Sequence, residues 1–226
     1  MKYTNKLLIT IYLALAFFNQ PLSAAEDNAD ASAFKGLNIG LGLSLTKTNQ
    51  DYSENSPFNF NYKATNVIPK IDVSYLFQLD SKWLIGFGGT YDLLHAKSDI
   101  YALPASFAYA PGTTQYTSKN HYSLYIEPTY AIDESTALFA KLSYESIHVD
   151  SLWVCHGLSG GINDHMKLNG IGYGLGAKKL LTPNVYVQAE VEYINYSDQN
   201  YADSTGTWGY HNNKSYSGVA TVGYKF

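Results

Sequence analysis

Eight stretches of this chain alternate in polarity with a period of two residues, and in each the large apolar side chains share one parity. The stretches run over 34–47, 65–79, 82–97, 119–132, 135–149, 166–180, 184–197 and 214–226. Such alternation marks strands with two unlike faces. The first face carries Leu37, Ile39, Leu41, Leu43 and Leu45, and the last carries Tyr216, Gly218, Ala220, Val222, Tyr224 and Phe226. Away from the strand ends, Lys70, Asp72, Asp92, Glu127, Lys141, Glu145, Lys178, Glu190 and Glu192 all fall on the opposite parity.

The character of that second face decides what the first one meets. A soluble sandwich or lipocalin-type barrel turns its apolar face inward and its more charged face to water. Here the second face is rich in Gly, Ser, Thr and Asn, as in Asn38, Gly40, Gly42, Ser44 or Gly170, Gly172, Gly174, Gly176. Small polar residues suit a narrow interior, and the apolar parity suits lipid. The expected fold is all-β, an eight-stranded antiparallel up-and-down transmembrane barrel.

Connection lengths point the same way. The links at 80–81, 133–134 and 181–183 are short, and the others run to about 15–20 residues. Short periplasmic turns alternating with long outer loops are the habit of outer-membrane barrels. Lipid also forbids an open edge, so the final strand must pair with the first. Trp83, Tyr130, Tyr224 and Phe226 are then expected in an inner aromatic girdle, with Tyr91, Tyr122, Tyr144 and Tyr216 in an outer one. Pro69 and Pro128, mid-strand, each forfeit a ladder bond and suggest local bulges.

The start of the chain reads as an export signal. Lys2 and Lys6 precede the apolar run 7–18, and Ser23 and Ala25 supply the small residues of a cleavage site. Residues 1–25 are therefore expected to be a signal peptide, 26–33 a periplasmic tail and 34–226 the barrel. Removing Lys2 and Lys6 leaves thirteen lysines against nineteen acids and no arginine, a net charge of −6. That balance argues against nucleic acid as a partner. The lone cysteine, Cys155, excludes an intrachain disulfide. No cofactor or metal is expected.

The terminal "GYKF", with "FKGLNIGLGLSL", "HYSLYIEPTYAI", "FAKLSYES" and "GIGYGLGAKKLLTPNVYVQAEVEY", resembles the opacity-protein/OmpA-like family of small porin-like surface antigens. The resemblance covers residues 34–226. It implies a bacterial outer-membrane location among lipids and lipopolysaccharide, and Tyr224 and Phe226 as the signal read by the barrel-assembly machinery. It also implies a structural or adhesin-like role, with extracellular or host-surface ligands as partners of four loops.

If Ile132 and Thr136 close one turn and Leu79 and Trp83 another, Glu127 faces Lys141 and Lys70 faces Asp92 across neighbouring strands. Two interior ion pairs are expected. They serve either as charge-balanced filling or as a narrow, porin-like path for ions or small solutes, the alternative function.

His95, His121, His148, His156, His165 and His211 all map to the outer loops or the strand ends that feed them. With lysines and acids nearly balanced there, protonation near the ordinary imidazole pKa would turn the rim positive, although the spacing gives no recognisable metal-ligand set. Tyr101, Phe107, Tyr109, Tyr116, Trp153, Trp208 and Tyr210 are expected in the loops, where aromatics are favoured contact anchors. His121 and Ser123 in "NHYSLY" are similar to the His-X-Ser of lipid A deacylase barrels, with Glu145 a candidate orienting acid. Their inward parity, and Leu124 where that family has Asn, set this third reading behind the others; no catalysis is expected.

Overall fold

The computed structural model describes residues 30–54, 59–103, 112–155, 161–203 and 206–226. The expected signal peptide, His156, Phe107 and Tyr109 lie outside the described residues. A short 3-10 turn, Ala31–Phe34, precedes the strands. These are β1 (Gly36–Glu54), β2 (Asn59–Gln78), β3 (Trp83–Asp92), β4 (Ala96–Lys97), β5 (Tyr101–Leu103), β6 (Gly112–Ala131), β7 (Thr136–Cys155), β8 (Gly161–Leu180), β9 (Val185–Tyr196), β10 (Gln199–Asp203) and β11 (Gly206–Lys225).

Eight of these strands form a closed antiparallel barrel in the order β1, β2, β3, β6, β7, β8, β9, β11, and β11 pairs back onto β1. Ile39 opposite Tyr224 and Leu41 opposite Val222 lie in that closing seam, and Phe226 donates its amide to the Leu37 carbonyl at 2.8 Å. The short β4 and β5 pair with the outer half of β6, and β10 pairs with β11.

Three tight turns share one design. Leu79, Ile132 and Leu181 each donate the amide to the carbonyl four residues on, at Trp83, Thr136 and Val185. In each, the next residue uses a side-chain oxygen to collect two amides: Asp80 from Lys82 and Trp83, Asp133 from Ser135 and Thr136, Thr182 from Asn184 and Val185. Asp and Thr are suited to this because a short polar side chain can stand in for a backbone acceptor.

Neither mid-strand proline makes a bulge. Pro69 pairs in register with Leu43, and its carbonyl accepts the Leu93 amide just past the end of β3. At Pro128 the β6–β7 pairing skips two residues and resumes in the same register. Bulges occur instead further out. Asn120 and His121 stand opposite the single Ile147, and Asn212 and Asn213 opposite the single Gln50. Asn120 has φ +49°, as an asparagine tolerates.

Six strands, β1, β2, β6, β7, β8 and β11, reach 19 or 20 residues. Spanning takes only about ten. The wall therefore continues well past the membrane, and the links expected as long loops are largely strand. Within the membrane half, Leu41, Val67, Leu124, Leu175 and Val222 face outward and are exposed, while Ser44, Asp72, Glu127, Thr129 and Thr221 are buried inside. In the outer half the polarity reverses. Lys47, Lys63, His148, His165 and Lys167 are exposed, and Tyr116, Val149, Met166, Leu168, Ile194 and Tyr196 form a buried apolar cluster in the lumen. Both halves obey one rule, since the outside matches lipid in the first and water in the second.

Of the expected periplasmic tail, the described residues from Ala31 on pack against the barrel. Ala31 and Phe34 are buried with Leu76, Leu84, Ala131 and Ala137, closing the periplasmic mouth with an apolar plug. Asp30 caps the turn through the amide and hydroxyl of Ser32. Gly36 then turns the chain into β1 at φ +121°, where a Cβ would lie 2.5 Å from the Phe226 carbonyl oxygen.

Candidate functional site

Above the apolar plug the lumen is filled by layers of paired charge. Lowest is Lys178, 3.3 Å from Glu127 and 5.1 Å above the Tyr186 ring. Tyr186 lies beneath Gly223, where a Cβ would come within 2.2 Å of its ring. Next, Lys141 binds Glu190 at 2.9 Å and Asp72 at 3.2 Å, with Glu127 at 3.9 Å. Its ammonium sits 4.3 Å from the centre of the Tyr125 ring, and the Tyr125 hydroxyl donates to Asp72 at 2.6 Å.

The third layer is anchored on His121. One ring nitrogen meets Asp92 at 2.8 Å, the other meets Glu145 at 3.0 Å, and the Tyr196 hydroxyl lies 3.2 Å from the second nitrogen. Lys70 pairs in register with Asp92, Nζ to Oδ1 3.9 Å. Charges withdrawn from water are tolerated only when paired and hydrogen-bonded in this way.

Of the four residues expected in interior pairs, Lys70 and Asp92 stand directly opposite one another. Glu127 and Lys141 are at the margin of contact, each with a nearer partner from a strand that is not its neighbour. Register alone shows adjacent strands, whereas an eight-stranded lumen is narrow enough for side chains to reach across it.

The histidines are not one set. His121, expected on the rim, is buried in the lumen at 8% exposure. Its parity is inward, as the alternation reads, and β6 continues past it to Gly112, so the imidazole lies inside the wall between two carboxylates rather than on the rim. His95 and His148 are exposed on the outer side. His165 contacts Asp150 at 2.8 Å and His211 contacts Asp198 at 3.5 Å.

The expected loop aromatics divide likewise. Tyr116 is buried inside the lumen, because residues of β6 beyond the bulge have the opposite phase. Tyr101 packs against the same apolar cluster and donates its hydroxyl to the Lys63 carbonyl. Trp153 and Trp208 lie on β7 and β11, opposite Thr114 and Glu54, rather than in loops. Around the inner boundary Trp83 meets Tyr130 at 5.0 Å between ring centres and Tyr224 meets Phe226 at 4.8 Å. At the outer one Tyr193 meets Tyr216 at 5.1 Å.

His121 and Ser123 do not form a nucleophile–base pair. Both imidazole nitrogens are turned to carboxylates, and the Ser123 hydroxyl bonds Thr90 at 2.8 Å. A general base needs a nitrogen within reach of the hydroxyl it activates.

A closed barrel with an oily outer belt, aromatic boundaries and a hydrogen-bonded polar filling is an integral outer-membrane β-barrel. The chain belongs to the outer membrane protein beta-barrel domain family, whose model matches residues 10–226, and so to the bacterial outer membrane. No curated protein matches it. Among solved structures it is similar to Ail, the attachment invasion locus protein of Yersinia pestis, in complex with the heparin analogue sucrose octasulfate, at 16% identity and TM-score 0.42, covering 83% of this chain and 99% of that one. It is similar to the Neisserial surface protein A at 18% identity and TM-score 0.42, covering 82% and 97%. The outer membrane protease OmpT of Escherichia coli aligns at 13% identity and TM-score 0.49, covering 84% and 97%.

Proposed function

We propose that this barrel is a structural, adhesin-like surface protein in which the membrane half is an anchor and the extended wall holds four loops away from the lipid for recognition. The observation that carries this reading is the pairing of a filled lumen with an elongated rim. Strands of 19 or 20 residues lift the loops beyond the headgroups, and loops on a rigid scaffold are where recognition resides. Membrane lipids and lipopolysaccharide surround the wall, and extracellular or host-surface molecules are the partners of the rim. Insertion through the barrel-assembly machinery, with Tyr224 and Phe226 as its signal, belongs to the same reading, as does the absence of catalysis.

A porin-like path is the competing function. The charge layers and the Phe34 plug weigh against it, because any solute would have to break paired buried charges.

Two measurements test the proposal. Cells displaying the full chain should attach to immobilised extracellular-matrix or host-cell surfaces, and a variant with the rim cut back to short turns should lose attachment while its barrel stays inserted. Planar bilayers containing the protein should stay silent. Reproducible channels whose conductance changes in Lys141→Ala would replace the adhesin reading with the pore.

A further inference from the structure

The inner phase of the outer half encloses a cavity of ≈ 80 Å³ that the charge layers do not fill. One water needs roughly 10–15 Å³ of such space, so this cavity has room for about five to eight waters or one small organic molecule in their place. Its floor is Lys70, Asp92 and His121. One wall, from β1 and β11, is hydroxyl and amide: Thr48, Gln50, Asn213, Ser215. The facing wall is apolar and carries Ile147, Val149, Leu168, Ile194 and Tyr196.

Both bulges named above border this space. His121 and Ile147 come from the β6–β7 bulge, Gln50 and Asn213 from the β1–β11 bulge, and all four line the cavity. A bulge surrenders ladder bonds and re-aims side chains, and bulges gather beside functional sites for that reason. Gln50 adds a second, independent sign. It is 8% exposed, yet its Nε2 donor has no hydrogen-bond partner. A buried amide donor left idle is destabilising, and a ligand acceptor in the cavity would relieve it.

The lining also selects a charge. Four lysines border the cavity with Asp92: Lys70 faces Asp92, Lys119 pairs with Asp150, and Lys63 and Lys97, exposed at the mouth, add positive charge. We propose that the outer mouth of the lumen binds a small organic acid, with its carboxylate toward the Gln50 amide and the lysines and its apolar body against Val149, Leu168 and Ile194. Mouths of barrels with an apolar wall and a few convergent polar groups are common ligand sites. This site is separate from loop recognition, so each can fail without the other.

The test uses the full chain in lipid nanodiscs, with methyl-labelled Ile, Leu and Val, titrated with benzoate and with benzyl alcohol as its uncharged counterpart. Benzoate should move the methyl signals of Val149, Leu168 and Ile194 saturably and leave those of lipid-facing Leu41 and Leu175 in place. Benzyl alcohol should bind at least ten-fold more weakly. Gln50→Leu should weaken benzoate at least five-fold, and Val149→Trp, which fills the space, should abolish the shifts. Leu168→Phe fills the space from the neighbouring strand of the same wall and serves if Val149→Trp does not insert. Absence of saturable shifts in the wild type, equal binding of the alcohol, or undiminished binding in the filled variants would overturn the proposal.

Discussion

Lys141 and Asp72 lie 3.2 Å apart although they sit on β7 and β2, strands with two others between them in one direction round the barrel and four in the other. The contact crosses the lumen rather than running along the wall, and it ties opposite sides of the closed sheet together. Glu190, 2.9 Å from the same ammonium, adds a third strand.

Removing that ammonium should therefore be expensive. Lys141→Met keeps most of the volume but leaves Asp72, Glu190 and Glu127 buried without their shared cation, and breaking a buried pair costs roughly 3–5 kcal/mol. Reversible urea unfolding in lipid vesicles measures the loss. In an Asp72→Asn background the same substitution should cost markedly less, and equal losses in the two backgrounds would show that the pair is not coupled.

Gly223 and Tyr186 test the packing beneath that layer. Gly223→Ala would bring its Cβ to 2.2 Å from the Tyr186 ring, an overpacking that typically costs 1–3 kcal/mol. Tyr186→Leu in the same chain clears the space, so the double variant should be less destabilised than the sum of the two single ones. The same unfolding assay reads the difference.

The Asp133 turn should show a dependence on pH. Burial works against the ionised carboxyl, but the amide and hydroxyl of Ser135 and the amide of Thr136 outweigh it and hold the pKa below the ordinary carboxylate value. A depressed pKa means the stabilisation is fully present above the unfolded value of about 3.9 and is lost as pH falls through the folded one. Asp133→Ala should cost about 1 kcal/mol at pH 7, and its gap from the wild type should close under strongly acid conditions. A gap that stays constant with pH would mean the turn draws nothing from the charge.

What the sequence made legible follows from what alternation can encode. A period of two assigns each residue of a regular strand to a face, so the outward Leu41 and Val222 and the inward Ser44 and Thr221 were readable, as was the register that sets Lys70 against Asp92. Contacts across the lumen were not, because they depend on barrel diameter and strand tilt rather than on neighbours. Hence Lys178 with Glu127 and Lys141 with Asp72 were missed, although all four charges lay on the inward parity. The bulge at Asn120 breaks the counting beyond it, which puts Tyr116 on the inner phase, whereas His121 keeps its inward parity and lies inside because the wall continues past it. The strand extensions were hidden because their polarity runs the other way: outside the membrane, Lys47 or Lys167 faces out and Val149 or Leu168 faces in. The Phe34 plug is a 3-10 turn of four residues, too short to carry a period.

That reversal of polarity should be measurable along a single strand. Leu41 of β1 faces outward at 63% exposure within the apolar belt, and Lys47, six residues further on the same outward phase, is exposed beyond it. A lysine at the midplane of the lipid face costs about 2–4 kcal/mol, and the penalty falls toward zero at the interface. Leu41→Lys should therefore destabilise the barrel by about that amount, whereas Lys47→Leu should change its stability by no more than about 0.5 kcal/mol. If both substitutions cost the same, the boundary between belt and rim does not lie between these two residues, and the split of each long strand into an anchoring half and a solvated half would have to be redrawn.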